Sequence, residues 1–312
     1  MTTLTSDVRE RIIKKYPKVN FQFCENAEKA MPFIGDAEVL LTFGTDVTAN
    51  IIRQAQNLKW IMVLSAGVEE LPYEEIKKRN ILVTNVKGIH KVPMAEYAIA
   101  MFLQVYQQTQ RLAKHQQDQI WDQSIPIREI TGRTMTVFGT GAIGQEVARL
   151  AKAFNIKTIG VSFRGKEKEY FDEVYSVKEM EKSLPEADFI VAVLPSTAQT
   201  VHLFKDVHFQ MMKESAIFLN MGRGDVVASE TIIHAVDRGE IDYAVLDVFE
   251  EEPLPKSHPL WNNDKVIITP HTSGKFSSYI PMAAEIFETN LTYYLSNNHE
   301  KMINMIDVNR RY

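Results

Sequence analysis

Residues 134–154, TMTVFGTGAIGQEVARLAKAF, decide the fold of this chain. The stretch begins with an apolar, partly β-branched run that ends at Phe138, and such a run predicts a buried strand. The run breaks directly into Gly139, Gly141 and Gly144, which have GxGxxG spacing. Apolar residues then recur at helical spacing, which predicts a helix that packs one face on the sheet.

Each glycine of this motif has its own expected role. Gly139 permits a tight turn, Gly141 lets the backbone come close to a pyrophosphate, and Gly144 lets helix and strand pack closely. Ala142 and Ile143 open the helix, whose N-terminus offers free N–H groups and the positive end of its dipole. GxGxxG alone also occurs in plain turns. With a strand before it and a helix after it, the motif favours dinucleotide binding.

Composition limits the classes of protein that fit. The chain has 312 residues, 45% hydrophobic and 24% charged, which is ordinary for a globular protein and long enough for two domains. A net charge of −5 and a pI near 6.0 argue against nucleic-acid binding. Cys24 is the only cysteine, which excludes an internal disulfide and argues against a metal site. No apolar run is long enough for a membrane span and no signal segment is evident, so we expect a cytoplasmic protein.

The pattern of apolar runs predicts the fold class. From residue 134 onward, continuous apolar runs alternate with helical patterns, which is typical of parallel strands covered on both faces by helices. We therefore predict an α/β protein with a Rossmann-type doubly wound parallel sheet. The runs occupy residues 136–138, 158–161, 189–194, 216–219, 244–248 and 266–268.

The two ends of the chain predict a smaller α/β unit. Strands are expected at residues 38–41, 60–64 and 81–84, with little sequence for a leading strand and hence a shortened sheet edge. A long helical pattern covers residues 92–112, and another covers 278–295. The expected domains are the first part of a substrate domain at 1–95, a dinucleotide-binding domain at 96–277, and a return to the substrate domain at 278–312.

Polar residues follow three successive apolar runs. Arg223 comes after the fourth run, Asp247 and then Glu252 after the fifth, and His271 after the sixth. Singly, each could be a surface charge or a loop histidine. Because ligands bind beyond the carboxyl ends of the strands in such sheets, their joint placement beside a GxGxxG unit favours a functional site.

The motifs along the chain resemble those of the D-2-hydroxyacid dehydrogenase family over nearly its whole length. The resemblance implies a flavodoxin-like substrate domain at both chain ends, around an inserted cofactor domain, usually in a homodimer. The matching motifs are SAGV at 65–68, VTNVKG at 83–88, FGTGAIG at 138–144, LPSTAQT at 194–200, NMGRG at 220–224, LDVFEEEPLP at 246–255 and ITPHTSG at 268–274.

The resemblance also implies residue roles. Arg223, Glu252 and His271 match the catalytic arginine, glutamate and histidine of the family. The backbone of Ser65, Ala66, Gly67 and Val68 would bind the substrate carboxylate together with Arg223. Asp247 and residues 194–200, among them Leu194, Pro195 and Thr200, would line the nicotinamide and its ribose. The other residues expected to bind the cofactor here are Met221, Gly222, Arg223, His271, Ser273 and Gly274.

The chemistry of these residues suits reduction of a small 2-keto acid to a D-2-hydroxy acid. C2 must receive a hydride, and the carbonyl oxygen must receive a proton. Arg223 would span the carbonyl and carboxylate oxygens with its planar fork. His271 would donate the proton, and Glu252 would orient the imidazole and favour its charged form.

The cofactor preference depends on the end of the second strand of the doubly wound sheet. NAD-preferring units usually carry an acid about 20 residues after the first glycines, which binds the ribose 2′-OH. Here the strand ends in Ser162, Phe163 and Arg164, with Lys166 close behind. Ser162 and Arg164 could hold a 2′-phosphate, so we expect NADP(H) to be preferred, with NAD(H) possible.

Three other functions remain open. The phosphoglycerate dehydrogenase branch of the family is one, although an end at Tyr312 would leave no room for a further regulatory domain. A dinucleotide-sensing binding protein like the C-terminal-binding corepressors is another, and it would show little turnover. A formate dehydrogenase is the third, but such an enzyme would be expected to have glutamine at position 252, where this chain has Glu252. The sequence does not identify the keto acid, and glyoxylate or hydroxypyruvate are the leading candidates.

Overall fold

The computed structural model describes residues 4–309, and these fall into two compact units. The chain up to Ile89 and the chain from Phe276 onward make the first unit. The second unit is continuous, from His90 to Lys275. The sequence analysis predicted the two domain boundaries after residues 95 and 277. The substrate and cofactor roles assigned to these domains stay predictions.

The first unit carries a small parallel sheet whose strands lie in chain order. Trp60 lies opposite Val39 on one side and Leu82 on the other. All four residues of the middle strand are buried, which is why they read as a continuous apolar run. The elements up to Ile89 are α1 (Ser6–Lys15), α2 (Ala27–Ile34), β1 (Val39–Thr42), α3 (Ala49–Gln54), β2 (Trp60–Val63), α4 (Tyr73–Lys78) and β3 (Leu82–Asn85).

The second unit is a seven-stranded parallel sheet with helices on both faces. The elements are α5 (Lys91–Tyr106), α6 (Thr109–Gln117), β4 (Thr134–Phe138), α7 (Ala142–Ala153), β5 (Lys157–Ser162), β6 (Glu173–Ser176), β7 (Phe189–Ala192), α8 (Asp206–Gln210), β8 (Ile217–Asn220), α9 (Ser229–Asp237), β9 (Tyr243–Leu246) and β10 (Val266–Ile268). The strand order is β10-β9-β8-β7-β4-β5-β6, so the order in which strands are added reverses between β4 and β7, where such sheets bind ligands.

One long helix, α10 (Tyr279–Leu295), returns the chain to the first unit. It packs on the buried indole of Trp60, whose ring stacks on Phe287 at 5.7 Å and on Tyr294 at 5.3 Å between ring centroids. Glu288, also buried, accepts hydrogen bonds from Arg11 and Lys15, which attaches α1 to the same helix. No strand precedes β1 in residues 4–38, as the weak sequence signal there indicates.

The doubly wound sheet predicted from the apolar runs is confirmed, with one strand added. The sequence missed β6, an edge strand whose four residues are all half-buried and include Glu173. A strand at the edge of a sheet need not be apolar, so it gives no continuous run. The runs expected at 189–194 and 244–248 extend past the observed ends of β7 and β9, because the residues after those strands are buried in loops.

The single helix expected over residues 92–112 is wrong, because the structure has two helices there. Gln107 still donates its backbone N–H to Leu103, but Gln108 has a left-handed backbone with φ of +53°. That conformation ends α5, and α6 starts at the next residue. Apolar spacing alone could not show the break, since Leu112 falls at a position compatible with one continuous helix.

Residues 4–309 lack both a membrane-spanning helix and a metal-binding cluster. No helix among them is long and apolar enough to cross a membrane. They also contain no cluster of three or more His, Cys, Asp or Glu residues that could hold a metal ion.

Candidate active site

The turn from β4 into α7 depends on two glycines that admit no side chain. Gly139 has φ of +107°, and a Cβ there would lie 2.6 Å from the carbonyl oxygen of Val193. A Cβ on Gly144 would lie 1.9 Å from the carbonyl oxygen of Gly139. The first glycine therefore makes the turn, and the second lets the first turn of α7 lie against it.

The middle glycine has a different environment. Gly141 is exposed, caps α7, and has no atom within 4 Å of the position of a Cβ. The N–H groups of Ala142, Ile143 and Gly144, in the first turn of α7, donate to no other described residue. Open space in front of free N–H groups suits the pyrophosphate of a dinucleotide, so this part of the chain fits such a cofactor.

The ends of β7 and β8 approach each other through backbone. A Cβ on Gly222 would lie 2.6 Å from the backbone nitrogen of Leu194, so only glycine fits there. The buried side chain of Asn220 holds the following turn, because its Nδ2 donates to the carbonyl of Arg223 at 2.9 Å and its Oδ1 accepts from the N–H of Gly222 at 3.2 Å. This turn fixes the backbone position of Arg223, from which its side chain extends.

The loop after β7 is held by its own polar side chains. Thr200 donates its hydroxyl to the carbonyl of Pro195 at 2.6 Å, and its Oγ1 accepts from the N–H of Thr197 at 2.9 Å. Ser196 donates to Asp225, in the turn after β8, at 2.5 Å. The strand ends next to the glycine turn are therefore joined by specific hydrogen bonds.

Asp247 organises the loop after β10. Its side chain is fully buried and accepts from the N–H of Thr272 at 2.8 Å and from the N–H of Ser273 at 2.9 Å. Its carbonyl accepts from the N–H of His271 at 2.9 Å. His271 has φ of +50°, which is unusual for a residue other than glycine, and these hydrogen bonds hold it there.

Tyr97, on α5, extends this network. The hydroxyl of Thr269 donates to Asp247 at 2.5 Å, and Thr269 lies 2.7 Å from the hydroxyl of Tyr97. Because threonine has one hydroxyl proton and gives it to the carboxylate, Tyr97 must be the donor to Thr269. Burial raises the pKa of Tyr97 above its ordinary value of 10.0, which keeps the phenol protonated for this role.

His271 and Glu252 form a direct pair. Nδ1 of His271 lies 2.8 Å from Oε2 of Glu252, while Oε1 of Glu252 accepts from the N–H of Phe249 at 3.0 Å. The imidazole is 54% exposed, so its Nε2 edge is open to a ligand. A histidine held by a carboxylate on one nitrogen and open on the other is a competent proton donor and acceptor.

His90 lies beside the same loop of the second unit. A Cβ on Gly274 would lie 3.1 Å from its Cδ2. Burial, with a smaller contribution from the charge of Arg223, lowers the pKa of His90 below its ordinary value of 6.5. This imidazole is therefore neutral at neutral pH.

The end of β5 carries a free cation. Ser162 is half-buried, whereas Phe163 is 63% exposed and Arg164 is exposed. Within residues 4–309, the Arg164 guanidinium forms no hydrogen bond and no ion pair. No acidic residue occupies positions 162–166. This end of the strand is therefore a suitable environment for an anionic group.

The structure brings most of the predicted site residues to one edge of the second unit. They follow the carboxyl ends of β4, β5, β7, β8, β9 and β10, as the sequence analysis expected. Ser65, Ala66, Gly67 and Val68 belong to the first unit, where they follow β2. Their roles in binding substrate and cofactor stay predictions.

Comparison with known proteins adds evidence that is independent of this geometry. Residues 99–273, more than half of the chain, match the model of the D-isomer specific 2-hydroxyacid dehydrogenase, NAD binding domain. The chain belongs to the D-isomer specific 2-hydroxyacid dehydrogenase family. It is accordingly an NAD(P)-dependent 2-hydroxyacid dehydrogenase, and the resemblance seen in its motifs is confirmed.

Individual relatives agree with this assignment. A D-isomer specific 2-hydroxyacid dehydrogenase family protein from Aeromonas salmonicida has a crystal structure with a TM-score of 0.87 and 35% identity, over 96% of this chain and 95% of that one. Glyoxylate/hydroxypyruvate reductase B of Enterobacter sp. is 30% identical over 96% of this chain and 94% of its own length. D-3-phosphoglycerate dehydrogenase of Methanocaldococcus jannaschii is 31% identical over 96% of this chain but 57% of its own length.

Sequence reasoning missed several residues that hold this 2-hydroxyacid dehydrogenase site in place. Tyr97 was part of an apolar helical pattern, and its partner Thr269 lies 172 residues further along the chain. Asn220 stood inside a recognised motif, and an asparagine directly after an apolar run was an available signal for a side chain that caps a turn.

Proposed function

We propose that this dehydrogenase reduces a small, unphosphorylated 2-keto acid of the glyoxylate or hydroxypyruvate type to the D-2-hydroxy acid, with NADPH as the preferred cofactor. The observation that carries the proposal is the His271–Glu252 pair at 2.8 Å, which follows β10 and β9, with Arg223 after β8, the next strand of the sheet. A proton donor and a cation at the same edge of the sheet are the two groups that carbonyl reduction of a keto acid requires.

Arg223 is the proposed electrophilic group. Its Nη1 donates to the carbonyl of Gly222 at 3.0 Å, which orients the guanidinium, and the planar fork carries several N–H donors in a fixed geometry. Paired N–H groups can bind a carbonyl oxygen and a carboxylate oxygen of one substrate. Negative charge that develops on the carbonyl oxygen would be stabilised by the same group.

His271 is the proposed proton donor in reduction and proton acceptor in oxidation. Glu252 accepts from Nδ1–H, which fixes the ring and leaves Nε2 as the nitrogen for the substrate oxygen. A carboxylate next to the ring also stabilises the imidazolium that exists before proton transfer. The left-handed backbone of His271, tied to Asp247, keeps this nitrogen in one place.

The cofactor site is proposed along the carboxyl edge of the second unit. When bound, the nicotinamide supplies the hydride that adds to C2 of the keto acid. Gly141 and the free N–H groups of α7 would hold the pyrophosphate. Arg164 and Ser162 would bind the 2′-phosphate of NADPH, and NADH would lose the charge interaction with Arg164.

The turn at residues 65–68 is the proposed site for the substrate carboxylate. None of its four backbone N–H groups donates to another described residue, although Val68 is buried. Successive free N–H groups in a turn form a concave site for an anion.

A homodimer is also proposed, and a cytoplasmic location stays a prediction. The segment that follows α6 exposes Trp121 at 89% and Ile120 at 51%, which is unusual for large apolar side chains and suits burial by a second copy. A monomer mass in light scattering would contradict this.

The function is tested by absorbance at 340 nm with NADPH and NADH against glyoxylate, hydroxypyruvate, pyruvate, phenylpyruvate, 2-ketoisocaproate and 3-phosphohydroxypyruvate. We expect turnover with an unphosphorylated keto acid and a higher kcat/KM with NADPH. Turnover confined to 3-phosphohydroxypyruvate would support the phosphoglycerate branch instead. Cofactor binding without any turnover would favour a dinucleotide-sensing protein.

A further inference from the structure

Most carbonyl oxygens in the turn at residues 65–68, and the one directly before it, accept a hydrogen bond from a side chain. The hydroxyl of Tyr279 donates to the carbonyl of Leu64, directly before the turn, at 2.5 Å. Nδ2 of Asn85 donates to the carbonyl of Ala66 at 2.7 Å. Both donors come from other elements of the first unit, since Asn85 ends β3 and Tyr279 begins α10.

The carbonyls of Gly67 and Val68 are occupied as well. Ser65 donates its hydroxyl to the carbonyl of Gly67 at 2.6 Å, and Tyr73 donates its hydroxyl to the carbonyl of Val68 at 2.9 Å. Of the five carbonyls from residue 64 to residue 68, four therefore accept a hydrogen bond from a side chain.

The N–H groups of the same turn show the opposite pattern. The backbone N–H groups of residues 65–68 donate to no described residue, whereas those of Leu64 and Leu71, on either side, donate to Thr42 and Val68. Buried and half-buried N–H groups in proteins nearly always have an acceptor. Ser65, Gly67 and Val68 are half-buried or buried and are such exceptions, while Ala66 between them is exposed. In a turn most of whose carbonyls accept hydrogen bonds, these N–H groups leave the positive ends of the peptide dipoles for an external anion.

Asn85 is itself held from the C-terminal segment. Its N–H donates to the carbonyl of Asn304 at 3.2 Å, and Nδ2 of Asn304 donates back to the carbonyl of Asn85 at 3.1 Å. Nδ2 of Asn304 also donates to the carbonyl of Lys87 at 2.9 Å. The residues after position 275 thus support the turn at two points, through Tyr279 and through Asn304.

We propose that Tyr279 and Asn85 are positioning residues for the substrate carboxylate: they fix the carbonyls of Leu64 and Ala66 so that the N–H groups of residues 65–68 bind the anion. The inference rests on the proposed function of this turn. It gives the C-terminal segment a role in substrate affinity, since one of the two hydrogen bonds comes from α10 and the other depends on Asn304.

The test compares two tyrosines of the same helix. Tyr279→Phe removes the hydrogen bond to Leu64, and the control Tyr294→Phe removes a hydrogen bond to Glu38 at 2.9 Å, which is not part of the turn. We expect Tyr279→Phe to raise KM for the keto acid and the inhibition constant of oxamate, a carboxylate analogue of pyruvate, by about two- to ten-fold, the range of one hydrogen bond. Because the lost interaction is made in ground and transition states alike, kcat should change less than KM.

A second variant tests Asn85. Asn85→Asp keeps the Oδ1 that accepts from the N–H of Lys87 at 3.1 Å but loses the donor to Ala66, and it adds negative charge beside the anion site. We expect a larger rise in KM than in Tyr279→Phe. The dissociation constant of NADPH should stay as in the wild type for all three variants.

The outcomes separate the inference from the function on which it rests. One outcome is that the wild type turns over the keto acid while Tyr279→Phe and Tyr294→Phe have the same KM and the same inhibition constant for oxamate. That outcome would overturn the positioning role and leave the proposed function intact. Equal losses in both variants, in parallel with their melting temperatures, would also overturn it and indicate a structural role. A wild-type protein that neither turns over keto acids nor binds oxamate would overturn both.

Discussion

The candidate catalytic side chains, at the carboxyl edge of the sheet in the second unit, are held by few, specific neighbours. Glu252 fixes one nitrogen of His271, and Asp247 fixes the backbone on which that ring is mounted. Asp247 in turn accepts from Thr269, which accepts from Tyr97. A proton donor that must meet a carbonyl oxygen within hydrogen-bond distance benefits from such support, because small displacements of a reacting group reduce rates strongly.

Arg164 tests the cofactor preference at the level of one residue. Arg164→Ser removes the unpaired guanidinium at the end of β5 without disturbing an ion pair of the described residues. We expect KM for NADPH to rise by about ten-fold or more, since a charge-assisted hydrogen bond contributes about 1.5–3 kcal/mol, while KM for NADH stays near its wild-type value.

Lys168→Ser provides a matched control, because it removes an exposed cation four residues further along the same loop. Steady-state kinetics with each cofactor at saturating keto acid measure the effect. Equal changes in KM for NADPH and NADH in Arg164→Ser would contradict the assignment of a 2′-phosphate site.

At this scale the sequence indicated the candidate catalytic residues more readily than the residues that support them. Arg223, Glu252 and His271 became candidates because each follows an apolar run in a recognised motif. Tyr97 and Tyr279 were not, because their partners lie 172 and 215 residues away and depend on how the chain folds back. Such hydrogen bonds leave no periodic signal in the sequence.

The element on which the cofactor site depends is the turn from β4 into α7. The strand was predicted with its observed bounds because its apolar run ends directly at a glycine. By contrast, the break between α5 and α6 was missed, since glutamine has no strong preference for the left-handed conformation that Gln108 adopts. Element boundaries are thus predictable where a special residue marks them and unpredictable where tertiary structure imposes them.

The glycines of this turn give opposite predictions for the same substitution. Gly144→Ala places a Cβ 1.9 Å from the carbonyl oxygen of Gly139, so we expect a lower melting temperature or an insoluble protein. Gly141→Ala meets no atom within 4 Å, so the protein should melt as the wild type does. Its dissociation constant for NADPH should nevertheless rise, because the methyl group would occupy the space proposed for the pyrophosphate.

Differential scanning fluorimetry and titration of NADPH fluorescence check the two variants side by side. A Gly141→Ala protein that binds NADPH as tightly as the wild type would contradict the proposed position of the pyrophosphate at this turn. A Gly144→Ala protein with unchanged melting temperature would show that α7 can shift away from the turn without cost.

At the scale of the whole molecule, both ends of the chain build one unit, and the continuous stretch between them builds the other. The return of the chain was predictable, because an apolar helical pattern follows the last strand of the doubly wound sheet. The contacts that result from this return were not predictable. The sequence did not indicate that Glu288 would pair with Arg11 and Lys15, or that Asn304 would hold Asn85. These contacts join residues more than 200 positions apart, and they give the C-terminal segment its structural purpose.

Proton transfer through His271 is the central step of the proposed mechanism. A single-turnover measurement of NADPH oxidation, with enzyme in excess over keto acid, compares the wild type with His271→Asn. We predict that the rate of hydride transfer falls by about 10² to 10⁴, while the dissociation constant of NADPH changes little. A variant that transfers hydride at the wild-type rate would contradict the proposed mechanism.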